Sequence, residues 1–119
     1  MTSQGSAHGR FQRAIRDRHL RRASMAAREL GTVSLADALA LTLLTAELED
    51  DRWPRAAAKW LGRFILESPA ITIGEVGIAV AAVRELDGAD RWLAAETLRQ
   101  LASRHGGHAT VVALLNSRR

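Results

Sequence analysis

Apolar residues recur every three to four positions along most of the chain, the spacing of one face of an α-helix. Proline occurs only at Pro54 and Pro69 and β-branched runs are rare, so the pattern predicts an all-α chain without strands. Five to six helices are expected, over about residues 10–30, 35–49, 52–67, 73–86, 91–105 and 111–117, with short connections. Residues 1–9 are polar and are expected as a disordered tail ahead of a single all-helical domain over residues 10–119.

A period runs through the helix starts. Ser34, Thr72 and Thr110 each sit between apolar residues and are 38 positions apart. Asp37 and Glu75 follow the first two at the capping-box distance, where a hydroxyl and a carboxylate satisfy backbone N–H groups of the first turn; the third, with Ala113, lacks the acid. Downstream, Glu47-Leu48-Glu49 precedes Asp51-Arg52-Trp53, and Glu85-Leu86-Asp87 precedes Asp90-Arg91-Trp92. The reading is about two and a half copies of a helix-hairpin unit: stacked antiparallel helix pairs, either helical-repeat-like or closed into a compact bundle. The tetratricopeptide signature is not matched, because Trp60-Leu61-Gly62 has the wrong internal spacing. Asp51 and Asp90 are expected as N-caps, and Trp53 and Trp92, at matching positions, as packing anchors.

The helices opened by Ser34 and Thr72 are apolar almost all round, which predicts a central, buried pair. In the second, Gly74, Gly77 and Ala81 make a small-residue stripe where another helix could come close, either within the chain or in self-association. A chain of 119 residues has little material to cover two such helices, so a homodimer is one solution and wrapping by the amphipathic helices is the other.

Charge changes this picture by its placement. The formal net charge is +4, and of 17 basic residues only Lys59 is lysine. With alanine also abundant, the arginine excess can reflect GC-rich codons and is not by itself evidence for phosphate binding. Residues 1–30, however, hold seven arginines against Asp17 and Glu29, a net +5, leaving −1 for the other 89 residues. Arg10, Arg13, Arg21 and Arg28 fall on one side of the first expected helix; Arg55, Lys59 and Arg63 form a stripe opposite Trp53, Trp60 and Phe64; Arg91 and Arg99 lie on the fifth. These nine are the candidate contacts for nucleic-acid phosphates or an acidic partner. Arg18, His19 and Arg22 interrupt the apolar side that carries Phe11, Ile15, Met25, Ala26 and Leu30.

Candidate chemistry is sparse. The chain has no cysteine, and no phosphate loop, dinucleotide fingerprint, zinc helix or nucleophile elbow occurs in it. His105 and His108 flank a double glycine without an evident third metal ligand; the glycines are expected to end the fifth helix. Glu47, Glu49, Asp50 and Asp51 lack the ligand order of a calcium loop. No enzyme activity, cofactor, metal or small-molecule substrate is expected. The longest strongly apolar stretch, residues 76–83, is far shorter than the roughly 20 residues that span a bilayer, so no membrane partner is expected and the location is read as cytoplasmic.

Two segments carry a resemblance: Arg28-Glu29-Leu30 followed by Ser34-Leu35 and Asp37-Ala38, and the run with Arg55, Ala57, Trp60 and Phe64. Across residues 11–104 the chain resembles small alanine- and arginine-rich all-helical proteins of high-GC bacteria, a group of unassigned function. The resemblance implies packing and capping roles and brings no functional residue. The expected function is a non-enzymatic protein–protein interaction module that binds a protein partner or itself, with sequence-nonspecific nucleic-acid binding through the basic faces as the alternative.

Overall fold

The computed structural model describes the backbone of residues 3–117 and the side chains of residues 7–105. Six helices run through it: α1 (Ser3–Arg16), α2 (Leu20–Leu30), α3 (Leu35–Glu47), α4 (Trp53–Leu66), α5 (Ile73–Arg84) and α6 (Arg91–Ser117). No strand occurs among the described residues. Successive helices pack as pairs, α1 on α2, α3 on α4 and α5 on α6, and the last two pairs are those the quasi-repeat predicts. The stack does not open into a superhelix. Instead α6 also packs on α3 and α5 on α4, so α3 to α6 close into a four-helix bundle, with the α1–α2 hairpin docked mainly on α3.

The bundle core mixes small and large side chains. Ala57, Ala79, Ala82, Ala94, Ala95 and Ala102 bring the helices close, while Leu39, Leu43, Leu86, Leu98 and Leu101 fill between them. Trp60 and Phe64, one turn apart on α4, stack with ring centroids 5.2 Å apart. The Trp60 indole N–H donates to the Leu35 carbonyl at 3.0 Å. That bond satisfies the polar atom of a buried tryptophan and fastens α4 to the first turn of α3. A second, smaller core of Phe11, Ala14, Ala23 and Ala26 holds the hairpin together, and Leu41 of α3 packs against it.

Local chemistry explains the boundaries. Ser34 caps α3 by accepting from the Asp37 N–H at 3.1 Å, although the Asp37 carboxylate accepts from Gln12 at 3.3 Å instead of closing a capping box. Thr72 and Glu75 close the full box at α5. Gly31 stops α2 at φ 75°, a left-handed conformation in which its N–H reaches the carbonyls of Ala27 and Arg28.

Several expectations are corrected. Residues 10–30 form two helices, because Asp17 to His19 turn the chain, with Arg18 in the left-handed region at φ 59°. His19 then caps α2, its Nδ1 accepting from the Arg22 N–H at 3.2 Å. The lost amphipathic rhythm at Arg18, His19 and Arg22 therefore marks a hairpin turn. The first helix begins at Ser3, where a tail was expected up to residue 9, and Ala7 is buried. The last helix runs on through the double glycine to Ser117; glycine lowers helix propensity by about 1 kcal/mol without forcing a stop. Thr110 thus lies inside α6 and starts no helix, while its side chain and that of His108 lie outside the described residues.

The acidic caps differ too. Arg52 occupies the N-cap position of α4 without a side-chain cap, and Asp50, not Asp51, accepts from its N–H at 2.9 Å. At α6, Asp90 contributes its backbone carbonyl, which accepts from the Ala94 N–H. Of the two apolar helices only α3 is central. On α5 just Ala79 and Ala82 are buried, because α4 and α6 flank it and, among the described residues, no further helix packs on its outer side.

Replacing Trp60 with Phe keeps an aromatic ring but removes the N–H donated to Leu35, and is expected to cost about 1 kcal/mol in urea unfolding with an unchanged m value. Phe64→Ala, which empties the bundle centre, is expected to cost about 3–5 kcal/mol in the same assay.

Candidate functional site

The nine candidate cations do not form one surface. Arg10 pairs with Glu29 across the hairpin, Arg63 with Glu67 at 2.5 Å on α4, and Arg99 with Glu96 at 3.6 Å on α6. Arg91 lies over the Trp92 ring, 5.7 Å from its centroid. Arg13, Arg21, Arg28, Arg55 and Lys59 are exposed and make no ion pair among the described residues. Two further arginines of the hairpin, Arg16 and Arg22, share that condition and were missed because they sit off the stripe read from the sequence. Arg18 pairs with Glu47 at 2.7 Å and ties the hairpin turn to the end of α3.

The outer side of α5 and the start of α6 carry the largest departure from a sealed core. Ile73 is 88% exposed, Leu93 69%, Trp92 63% and Ile78 51%. Ile78, Ala81, Leu93 and Ala94 line an open groove of about 370 Å³ between the two helices, with Glu85, Asp90 and Thr97 at its rim. Gly77 lies on this outer side, where an added Cβ meets nothing within 4 Å, and Gly74 and Ala81 are exposed beside it. The small-residue stripe therefore faces outward, with no helix packed over it among the described residues. Trp92 is correspondingly no packing anchor. Its counterpart Trp53 packs against the bundle core, whereas the first turn of α6 places Trp92 on the outside.

A closely coupled set of titratable groups joins α5 to α6. His105 Nε2 lies 2.9 Å from Glu75 Oε2, with the imidazole only 7% exposed and edge-on to Phe64. The other carboxylate oxygen accepts from the Thr72 N–H at 3.1 Å and from its hydroxyl at 3.2 Å, and Arg104 reaches Glu75 at 3.4 Å. The His105 hydrogen bond first, then the Thr72 N–H, hold the Glu75 carboxyl at about 2, below its ordinary 4.5. Asp50 is likewise lowered to about 2 by its hydrogen bonds from the Arg52 side chain and backbone. The His105 and Arg104 contacts fasten α6 to α5, the Thr72 contacts close the cap of α5 itself, and none of the described cavities is lined by these residues. Among the described residues no group of three or more potential ligands gathers around a metal position, and no helix is long and apolar enough to cross a membrane.

A carboxyl whose folded-state pKa is depressed contributes stability that is complete above its unfolded value and is lost as pH falls toward the folded one. Thermal unfolding followed by circular dichroism is expected to show a Tm that drops between pH 4.5 and about 2, and to drop less steeply in Glu75→Gln. Equal slopes in the two proteins would assign the acid sensitivity to other carboxylates.

No protein-family model matches the chain, and neither a curated protein nor a solved structure does, so its functional assignment rests on its own surfaces.

Proposed function

We propose that the protein is a non-enzymatic protein–protein interaction module whose contact surface is the outer face of α5–α6, with a second copy of the chain as its first partner. The observation that carries this reading is the grouping of Ile78, Ala81 and Leu93 along one groove, with Trp92 beside them. Leaving such side chains in water forgoes about 1.5–3 kcal/mol for each large one, and clustered exposure of this kind marks association sites. Tryptophan is also among the residues enriched at interface hot spots. The hydrogen bonds that engage Glu75 and His105 in joining α5 to α6 support the non-enzymatic half of the reading.

Size-exclusion chromatography with light scattering tests it. Wild type is expected at twice its 13.0 kDa mass and Ile78→Glu/Leu93→Glu at the single mass, with the helical circular dichroism retained. Gly77→Leu, placed in open space on the monomer, should fold normally and lose the dimer where the α5 axis lies at the seam. A monomeric wild type overturns the second-copy form of the reading.

A further inference from the structure

We propose that the trough between α2 and α4, floored by α3, docks an acidic amphipathic helix of a partner protein. Both α2 and α4 pack on α3, and between them lies an open volume of about 200 Å³ bordered by Leu20, Ser24, Leu41, Thr45, Arg52 and Ala56. The floor is mostly carbon. The Thr45 hydroxyl donates to the Leu41 carbonyl at 2.7 Å and that of Thr42 to Ala38 at 2.8 Å, so both protons are engaged inside α3. Small-molecule pockets run to about 300–1,000 Å³, and this shallower trough suits a few aliphatic side chains laid in from above.

Charge defines the banks. On α2, Leu20, Ser24 and Arg28 follow one another at four-residue intervals down one side, with Arg21 beside them. On α4, Arg52 and Ala56 are followed at the next turn by Lys59. Arg21, Arg28 and Lys59 are exposed cations without an ion pair among the described residues, and no carboxylate lines the trough. Arg52 is already held by Asp50 through its Nε and Nη2, both at 2.8 Å. The wider groove on the hairpin, about 420 Å³, is different, because Asp17 and Glu29 stand among its arginines and offset them.

An apolar floor with the exposed cations Arg21, Arg28 and Lys59 following along its two flanking helices is the complement of a helix with an aliphatic stripe and acidic flanks, the helix-in-groove mode of recognition. Nucleic acid fits less well: its phosphates need no apolar floor, and no aromatic ring lines the trough to stack a base. The site is separate from the α5–α6 face, so either assignment can fail alone.

The test is fluorescence anisotropy with the full chain and three labelled probes. These are a synthetic helix of about five turns with leucines at i, i+3, i+4 and i+7 and glutamates on its flanks, a scrambled peptide of identical composition, and random-sequence duplex DNA. The amphipathic peptide is expected to bind at least about tenfold more tightly than the scrambled one. Arg21→Glu/Arg28→Glu and, separately, Ala56→Glu are each expected to weaken it by about tenfold or more, whereas Arg13→Glu/Arg16→Glu, the same charge change on α1, should alter it less than about twofold. Circular dichroism checks that each variant remains helical. Equal binding of the two peptides, equal loss in the α1 variant, binding of DNA in place of the peptide, or no binding at all would each overturn the proposal.

Discussion

The stacked rings of Trp60 and Phe64 are what the other helices are arranged around. A core lined largely by alanine brings helices close but supplies little volume, and these two side chains provide the bulk at its centre. From them a line of contacts reaches every other helix of the bundle. The indole N–H binds α3 through Leu35, and the Phe64 ring meets the edge of His105 on α6 at 5.9 Å. His105 in turn holds Glu75 at the first turn of α5. Aromatic pairs add about 0.5–1.5 kcal/mol beyond their buried area, and here one pair also sets where two polar anchors fall.

Much of this architecture was legible before any coordinates, and the reason is that caps and turns are local chemistry. Ser34 and Thr72 stand where their hydroxyls accept the N–H three residues on, and their spacing announced the paired helices. Burial is not local in that sense. Residues 76–83 read as a core helix from composition alone, yet a bundle edge leaves half of that helix uncovered, and Ile78 and Val80 face outward. Trp53 and Trp92 occupy equivalent places in the quasi-repeat, but only one of them has the bundle in front of it. The α1–α2 turn was written in the sequence as an interruption at Arg18 and His19, and its meaning depended on which side Phe11 and Ala23 had to share.

The candidate surfaces were legible in part. Clusters of like charge are visible in a sequence; the carboxylates that neutralise some of them are not. Glu29, Glu67 and Glu96 remove Arg10, Arg63 and Arg99 from the pool of exposed, unpaired cations, because helical spacing or the hairpin brings each acid alongside. What remains is concentrated on α1, α2 and the middle of α4, and its α2 and α4 members stand on either side of a trough that only the docking of the hairpin creates. Most of the exposed large apolar side chains, by contrast, lie on α5 and α6, with Met25, Leu48 and Leu66 elsewhere, so the chain offers two chemically different faces.

The separation of the two cores has a kinetic consequence. The hairpin is held to α3 by Leu41, by Gln12 with Asp37 and by Arg18 with Glu47, a thin seam beside the continuous interior of the bundle. Units joined by little buried apolar contact open at lower free energy than the whole molecule unfolds. On that principle the α1–α2 hairpin is the unit expected to open first, with the amide protons of α2 exchanging while α3 to α6 remain closed. The most positively charged part of the chain is therefore also the part that carries its own small core, separate from that of the bundle.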